Sequence, residues 1–325
     1  MRQIGLLLQF MDVFYTDQFV LPLPKGHRFP MQKYSMLRQS LQNSAAGLRF
    51  HEPRPCSRGE LALAHCPHYV ENVHTGQLSC AQQKLIGFPW SEAMVERSLR
   101  SVGATLEAVF AAVQNGASVN LAGGTHHAKK ASGAGFCVFN DQAVAARAYQ
   151  AHALASGGKE PKVLVVDLDV HQGDGTAEIC RSDDSIFTFS MHGQSNFPFE
   201  KETSDLDIEL ASGTGDEEYL QKLNAALEAI AHRFTPDLIL YVAGHDSHES
   251  DRLGRLALTD QGMVERNRVV FNFASRFSCP IAMSMAGGYF PDLQHLVEVQ
   301  TSTILQLLNW VESSNSLEQR VTRTE

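Results

Sequence analysis

The sequence predicts an α/β domain built on a parallel β-sheet with helices on both faces, and three observations lead to that prediction. The 325 residues are 43% hydrophobic and 19% charged, a composition that can bury a sizeable core. Short, almost entirely apolar runs alternate with amphipathic helical patterns, which is typical of strands buried on both faces. No linker or break in composition divides the chain, so we expect one domain over residues 1–313 and a polar tail over residues 314–325.

The predicted strands are the short apolar runs. The first is expected at Ile4–Phe10, where the apolar run stops before Asp12. The others are expected at Ser118–Ala122, Val163–Leu168, Ile186–Ser190, Leu238–Ala243 and Ile281–Met285.

The predicted helices lie between these runs. Over Ser91–Gly116 apolar residues recur at steps of three and four, and Gly116 supplies a stop. Further helical patterns cover Asp141–Ser156, Asp216–His232, Thr259–Phe277 and Asp292–Val311. Two irregular segments, Leu21–Pro30 and His51–Pro67, are predicted to be long surface loops, and we expect residues 21–30 to form part of a site entrance.

Composition excludes several classes of function. Twenty-seven Lys and Arg residues against 36 Asp and Glu residues give a net charge of -9, which disfavours nucleic acids and anionic membrane surfaces as partners. No run of about 18 apolar residues is present, so no membrane span is expected. The six cysteines form no Cys-x-x-Cys pair, and we expect reduced thiols in a cytoplasmic protein.

Polar, chemically reactive residues follow five of the predicted strands. In open parallel sheets ligands bind beyond the carboxyl ends of the strands, so these residues should converge on one rim. The five endings are Gly123-Gly124-Thr125-His126-His127, Asp167-Leu168-Asp169-Val170-His171, Ser190-Met191-His192, Gly244-His245-Asp246 and Ala286-Gly287-Gly288-Tyr289. A purely structural sheet would not need such residues at so many strand ends.

Asp167, Asp169 and His171 alternate, so an extended chain presents all three on one face. A carboxylate and an imidazole spaced in this way can chelate one cation, and Asp246 is the expected third ligand. Such a set suits Zn²⁺ or Fe²⁺ and leaves a coordination position open for water.

His126 and His127 are adjacent imidazoles that follow two glycines. On an extended chain they would point to opposite sides, whereas an irregular glycine-containing loop lets both reach one cavity. The Gly173-Asp174-Gly175 turn brings another carboxylate close to the Asp-x-Asp-x-His segment. These residues therefore favour a catalytic site over a structural sheet edge.

In their order and spacing these motifs resemble the zinc-dependent histone deacetylase family. Gln172, Thr125 and the short glycine run before Tyr289 are most similar to the class IV branch and its bacterial relatives. The motifs that carry the resemblance are Thr125-His126-His127, Gly135-Phe136-Cys137, Asp167-x-Asp169-x-His171-Gln172-Gly173-Asp174-Gly175, Ala243-Gly244-x-Asp246 with Asp251-Arg252-Leu253-Gly254, and Gly287-Gly288-Tyr289.

The resemblance implies an arginase-deacetylase fold, a single α/β domain around a parallel sheet of about eight strands. It implies that Zn²⁺, or Fe²⁺ in its place, is held by Asp169, His171 and Asp246. It also implies a structural monovalent cation, K⁺, near oxygens of Asp167, Asp169, His171 and Ser190.

The resemblance further assigns roles in catalysis and substrate binding. His126 and His127 would be the general acid/base pair, and Tyr289 would donate a hydrogen bond to the substrate carbonyl. Asp167 and Asp174 would support the two histidines. Gly135, Phe136 and Phe197 would line a channel for an acyl-lysine.

The predicted function is hydrolysis of an N-acyl-lysine, in a peptide or a small acylated amine, with longer acyl chains favoured by the class IV resemblance. Two alternatives remain, an arginase-type ureohydrolase with two Mn²⁺ ions and a non-catalytic acyl-lysine reader. Gly173 and the Asp246-Ser247-His248 run lack two carboxylates that a two-metal site needs, although His248 could partly replace one of them. Both His245 and His248 are expected to be exposed loop residues, and the sequence does not indicate an oligomeric state.

Overall fold

The sheet of this chain contains eight strands, and every neighbouring pair is parallel. The computed structural model describes the backbone of residues 10–321 and the side chains of residues 10–313. The strand order is β2-β1-β3-β8-β7-β4-β5-β6. The strands are β1 (Met11–Phe14), β2 (Leu48–His51), β3 (Ala117–Asn120), β4 (Val163–Asp167), β5 (Ile186–Gly193), β6 (Leu206–Leu210), β7 (Leu238–Ala243) and β8 (Ile281–Met285).

Ten helices are found in the described part of the chain. The longest central helix begins after Ser91, whose hydroxyl accepts a hydrogen bond from Met94 N, and ends at Gly116 with a positive φ of 89°. The helices are α1 (Gln32–Ser44), α2 (Arg58–Leu61), α3 (Pro67–His74), α4 (Cys80–Ile86), α5 (Glu92–Asn115), α6 (Asp141–Ala155), α7 (Asp174–Cys180), α8 (Asp216–Ala231), α9 (Asp260–Arg276) and α10 (Leu293–Val321).

Two hydrophobic cores lie on opposite faces of the sheet. Along β7, Ile239 and Tyr241 pack in one core, while Leu238 and Leu240 pack in the other. The first core contains residues of α1, α8, α9 and α10, and the second contains residues of α3, α5 and α6. Because successive strand residues point to opposite faces, both faces are covered by helices. The predicted single α/β domain with a parallel sheet and helices on both faces is confirmed.

The prediction for the first strand was wrong in part. Residues 4–9 lie outside the described residues, and the observed strand is Met11–Phe14, which includes Asp12. Asp12 does not end the strand, because its buried carboxylate accepts hydrogen bonds from Arg49 and contacts His51. In the sequence alone Asp12 interrupts an apolar run, whereas in the fold β2 supplies partners for its carboxylate.

Two edge strands, β2 and β6, have no counterpart among the predicted strands. Their sequences, Leu-Arg-Phe-His and Leu-Asp-Ile-Glu-Leu, carry charged side chains and are only partly buried. A search for apolar runs therefore passes over them. At the other end of the chain, α10 continues to Val321, beyond the predicted end at Val311 and into the predicted polar tail.

The two predicted loops differ in the structure. Residues 21–30 have no helix or strand, as predicted. The segment from His51 to Pro67 contains the short helix α2, which is capped because Ser57 and Glu60 exchange hydrogen bonds. All carboxyl ends of the central strands point to one edge of the sheet, where the polar endings meet.

Candidate active site

A cavity of about 720 Å³ opens at the carboxyl ends of the central strands. It brings together nine of the predicted site residues, which come from five separate parts of the sequence. Asp167, Asp174 and Ser190 lie behind its wall and are buried. The nine lining residues are His126, His127, Gly135, Phe136, Asp169, His171, Phe197, Asp246 and Tyr289.

Asp169, His171 and Asp246 form a compact ligand cluster, with one potential ligand atom from each lying within 4.8 Å of the others. His171 Nδ1 lies 3.0 Å from Asp169 Oδ1 and 3.2 Å from Asp246 Oδ2. Asp246 Oδ1 accepts a hydrogen bond from Val170 N, but the buried Asp246 Oδ2 has no hydrogen-bond partner among the described residues. A buried carboxylate oxygen without a donor requires compensation, and a cation bound there would provide it.

The ionisation of this cluster also fits a cation. Burial first, and then the charge of Asp169, raise the pKa of Asp246 to about 7. Burial opposes protonation of His171, yet its close contacts with the carboxylates of Asp169 and Asp246 raise its pKa to about 10. Two buried carboxylates thus hold a proton on the imidazole between them, and a divalent ion with N and O ligand preferences fits the same place.

Two glycines allow the ligand carboxylates to pack closely. A Cβ atom at Gly244 would lie 2.5 Å from the Asp169 Cα atom, a distance that no side chain tolerates. Gly287 N donates a hydrogen bond to Asp169 Oδ2 over 2.8 Å. A Cβ atom at Gly173 would lie 2.3 Å from Asp167 Oδ2, so the position two residues after His171 has no room for a further ligand.

The two adjacent histidines lie side by side, with ring centroids 4.2 Å apart. His126 Nδ1 is 2.6 Å from Asp167 Oδ2, and His127 Nδ1 is 2.6 Å from Asp174 Oδ1. The predicted pairing of each histidine with its carboxylate is therefore present. Each carboxylate orients one imidazole and fixes which nitrogen carries the proton.

The environments of the two imidazoles push their pKa values apart. For His126, burial works against protonation, but the charges of Asp167 and Asp169 outweigh it and raise the pKa to about 9. For His127, burial and then the neighbouring His126 charge lower the pKa to about 4. These shifts favour a protonated His126 beside a neutral His127 at neutral pH, and two titratable groups whose pKa values are pushed apart can serve as an acid and a base.

The loop that carries the histidine pair depends on Asp141, which no local sequence pattern marks as a site residue. Its carboxylate accepts hydrogen bonds from Gly124 N and from both the backbone and hydroxyl groups of Thr125. Gly124 has a φ of 64°, and a Cβ atom there would lie 2.4 Å from the Ala286 Cβ atom. Glycine is therefore required at position 124, because the positive φ disfavours other residues and because no Cβ atom fits against Ala286.

His65 and Asn140 hold the same loop from the other side. The buried His65 accepts a hydrogen bond from Asn140 N at Nε2, and its Nδ1 lies 3.1 Å from Lys129 O. Asn140 Nδ2 donates to His126 O and Ala128 O, which flank His127 in the chain. Burial lowers the pKa of His65 to about 4, so the ring is neutral and donates from Nδ1. No local pattern marks His65, which was assigned to a loop.

Tyr289 is positioned by two residues that contact its loop. Its backbone N–H donates to Asp251 Oδ2 over 2.6 Å. The buried Lys33 ammonium donates to Ala286 O and Gly288 O and lies 5.3 Å from the Tyr289 ring centroid. Burial raises the pKa of Tyr289 well above its ordinary value, so the phenol keeps its proton and remains a hydrogen-bond donor.

Aromatic rings form the walls of the cavity beside these groups. The Phe197 ring packs edge-on to His127 with centroids 4.9 Å apart, and the Phe136 ring lies 6.2 Å from Tyr289. Gly135 has a φ of 52°, and a Cβ atom there would lie 2.6 Å from His127 Cδ2. From the predicted entrance segment, Phe29 contacts Phe136 and lines the cavity.

The prediction that His245 and His248 are exposed was wrong, because both are buried. The chain after β7 turns inward beneath α9 and α10 instead of crossing the surface. His245 Nε2 lies 3.0 Å from Thr303 Oγ1, and His248 Nε2 lies 3.0 Å from Asp260 Oδ1. Neither histidine lines the cavity.

His248, Asp260 and His295 form a second cluster of potential metal ligands. Ser250 N donates a hydrogen bond to His248 Nδ1, so the proton of the neutral ring is on Nε2. Nε2 therefore donates to Asp260 and offers no lone pair to an ion. We interpret this cluster as a hydrogen-bonded contact between the β7–α9 loop, α9 and α10.

The residues expected near a monovalent cation lie on the buried side of the same rim. Asp167, the last residue of β4, is in register with Ser190, which lies within β5. Ser190 Oγ is 2.9 Å from His192 Nδ1. Gln172 does not reach the ligand cluster, because its amide binds Glu202 backbone groups and Asp207.

Comparison with known proteins identifies the family. Residues 27–305 match the histone deacetylase domain. The chain belongs to the histone deacetylase family. An uncharacterized protein of Picosynechococcus is 42% identical over 287 residues, which cover 88% of this chain and 94% of that protein.

Other histone deacetylase relatives are more distant. Histone deacetylase 2 of Arabidopsis thaliana is 29% identical over 247 residues, which cover 73% of this chain and 62% of that protein. The crystal structure of an HDAC homologue from Aquifex aeolicus superposes with a TM-score of 0.78 at 24% identity, covering 94% of this chain and 84% of that one. The fold is therefore the histone deacetylase fold, and the chain is a hydrolase of the deacetylase type.

Two general predictions concern the cysteines and the membrane. All six cysteines are unpaired thiols. No helix within the described residues has the length and hydropathy that a bilayer crossing requires. The cytoplasmic location stays a prediction.

Proposed function

We propose that this histone deacetylase-family chain hydrolyses the amide of an N-acyl-lysine, or of a related small acylated amine, with one Zn²⁺ held by Asp169, His171 and Asp246. The observation that carries the proposal is the buried Asp246 Oδ2 without a hydrogen-bond partner, in a cavity shared with two adjacent histidines that are each bound to a buried carboxylate. Fe²⁺ fits the same ligands.

When bound, the metal would lower the pKa of a water molecule and polarise the substrate carbonyl. The neutral His127 is suited to accept the proton of the attacking water at Nε2, because its Nδ1–H points to Asp174. His126, protonated and held by Asp167, adds positive charge beside the developing oxyanion. The protonated imidazole that results then donates to the departing lysine amine, which leaves with the proton while the acyl group becomes a carboxylate.

The Tyr289 hydroxyl is proposed to donate a hydrogen bond to the oxyanion. The raised pKa of Tyr289 keeps the proton on the phenol oxygen. Asp251 and Lys33 bind backbone groups of Tyr289 and Gly288 and thereby position the side chain. The aromatic side chains of Phe136 and Phe197 line the channel and, with a substrate bound, would limit the access of water. A preformed donor in such a dry site stabilises developing charge more than it would in water.

We also propose K⁺ as a structural ion near oxygens of Asp167, Asp169, His171 and Ser190. The register of Asp167 and Ser190 on adjacent strands supports this assignment. Such an ion would lie behind the ligand cluster, and it would fix the strand ends that carry Asp169 and His171.

A class IV-like preference for longer acyl chains is part of the proposal. The cavity volume of about 720 Å³ exceeds what an acetyl group fills, and its lining extends to Tyr34, Arg97 and Ser101. Pockets of this size commonly hold drug-sized ligands. An extended acyl chain could therefore be accommodated.

The experiment that tests the proposed function separates it from the two alternatives. We expect one divalent metal per chain, release of carboxylate and free lysine from acyl-lysine peptides, inhibition by metal-chelating hydroxamates, and no urea from arginine or agmatine. Elemental analysis together with product assays measures all four. A second divalent ion accompanied by urea release would identify a ureohydrolase, and peptide binding without turnover would identify a reader. Against the ureohydrolase, Gly173 has no room for a carboxylate and His248 is bound to Asp260.

A further inference from the structure

Four basic side chains at the mouth of the cavity have no partner of their own. Arg28, Lys84, Arg252 and Arg255 line the cavity and are exposed. Within the described residues their charged groups take part in no ion pair, hydrogen bond or cation-π contact. This is unusual in a chain of net charge -9, in which most other basic groups near the site are paired. Lys129 and Arg181, for example, both contact Glu202.

Carboxylates do not offset these charges inside the cavity. The acidic side chains that line it are Asp169 and Asp246, which the proposed function assigns to the metal. Glu200 and Glu249 are close to the mouth in sequence but do not line the cavity. The mouth is therefore a basic surface on an acidic protein, and it surrounds the opening through which the acyl-lysine must enter.

Apolar side chains lie among the basic ones at this mouth. Leu85 is 61% exposed and Phe199 is 84% exposed, and both line the cavity. Exposed apolar residues beside unpaired cations are typical of surfaces that bind a partner. The four basic residues and these two apolar residues together form what we call the basic mouth.

We propose that the basic mouth selects an acyl-lysine in an acidic protein segment, with carboxylates on the residues flanking the lysine. This inference rests on the proposed function and names the substrate class for it. Carboxylates on the peptide would complement Arg28, Lys84, Arg252 and Arg255, which speeds encounter and fixes register. Like charges would disfavour lysine-rich tails and acetylated polyamines, which carry the same sign as the mouth.

The test compares three peptides of equal length that carry the same central acetyl-lysine. Their flanking residues are Glu, Gln or Lys, so shape is nearly constant while charge changes. We expect kcat/KM to fall from the Glu to the Gln to the Lys peptide. An exposed ion pair changes affinity by about two- to fivefold, so two pairs should separate the Glu and Lys peptides by at least about fourfold. Raising the salt concentration should shrink the difference, because exposed charges are screened.

Charge reversal at the mouth provides the matched comparison. In the double variant Arg28→Glu with Lys84→Glu, two carboxylates offset the charges of Arg252 and Arg255, so we expect the difference in kcat/KM among the three peptides to disappear. The control is Lys159→Glu with Arg268→Glu, which changes net charge equally at two exposed positions outside the cavity. The control should keep the wild-type order.

Each outcome bears on one proposal or the other. Equal kcat/KM for the three peptides, preference for the Lys peptide, or the same behaviour in both double variants would overturn the acidic-substrate proposal while leaving the deacylase function intact. If the metal-loaded protein turns over no peptide, the deacylase function fails, and fluorescence anisotropy with labelled peptides then tests the charge preference directly. Tighter binding of a single-stranded oligonucleotide than of the Glu peptide would also overturn the proposal.

Discussion

A Cβ atom placed on Gly287 would lie 1.7 Å from Asp246 Oδ2. Gly287 therefore lets the backbone before Tyr289 pass directly against the carboxylate oxygen that lacks a hydrogen-bond partner. The same glycine donates its N–H to Asp169 Oδ2. One loop thus contacts two carboxylates of the ligand cluster and carries the proposed oxyanion donor, so the proposed metal site and Tyr289 share the same stretch of backbone.

Replacing His171 by Ala is expected to remove both bound metal and activity, because it deletes the nitrogen ligand between two buried carboxylates. Metal content by elemental analysis and turnover of an acetyl-lysine peptide measure the effect. The matched control is His295→Ala, since His295 belongs to the second histidine-containing cluster. Metal retained in His171→Ala and lost in His295→Ala would show that the ion binds at His248, Asp260 and His295, which contradicts the proposal.

Tyr289→Phe removes only the phenol oxygen. We expect kcat to fall by about 10²-fold or more with metal content unchanged, which is the scale for loss of one oxyanion donor. Steady-state kinetics on one acetyl-lysine peptide measure this change. Tyr149→Phe, on α6 and away from the cavity, should leave kcat unaltered. Normal kcat in Tyr289→Phe would show that the hydroxyl takes no part in the reaction.

If the cavity accepts extended acyl chains, lengthening the acyl group should not lower kcat/KM. We expect kcat/KM to hold or rise from acetyl-lysine through octanoyl-lysine to myristoyl-lysine in one peptide sequence. The physical reason is burial of additional methylene groups in an apolar channel, which is favourable by about 0.8 kcal/mol for each group. A steady decline along the series would show that the pocket is short and that the class IV likeness does not extend to substrate choice.

His65 should make stability depend on pH. Its pKa in the folded chain is about 4 against 6.5 when unperturbed, so the unfolded state binds more protons as pH falls from about 6.5 to about 4. The free energy of unfolding should therefore decrease over that window, by about 3 kcal/mol from this residue. In His65→Gln this contribution is absent. The difference in free energy of unfolding between wild type and His65→Gln should therefore become smaller as pH falls.

Urea denaturation at several pH values measures the His65 effect. His68→Gln is a suitable control, because His68 is exposed and only three residues away. Parallel pH curves for wild type and His65→Gln would show that the buried imidazole does not titrate as expected.

The central strands and the polar residues after them were predictable from sequence because their signals are local. Strand β8 was predicted at its observed bounds, and the ligand cluster follows from the alternation of Asp169 and His171. The first strand was displaced because the partners of Asp12 lie on another strand. Charge inside a short strand cannot be interpreted without knowing what lies beside it.

The supporting residues of the site could not be predicted for the same reason. Lys33 binds carbonyl groups more than 250 positions away in the chain, at Ala286 and Gly288. His65 binds Asn140, and neither belongs to a recognisable pattern. The burial of His245 and His248 likewise depends on α9 and α10 covering the loop after β7. These contacts exist only once distant segments have packed together.

Strands β4 and β7 are neighbours in the sheet, yet the ligands that follow them are far apart in the chain, with 76 positions between Val170 and Asp246. An ion bound by Asp169, His171 and Asp246 therefore acts as a cross-link that closes a long loop. Such a cross-link opposes unfolding, because the unfolded chain would have to gather these ligands at an entropic cost. Resistance to heat should consequently rise with the concentration of free metal, and the proposed ion would then stabilise the fold in addition to its part in the reaction.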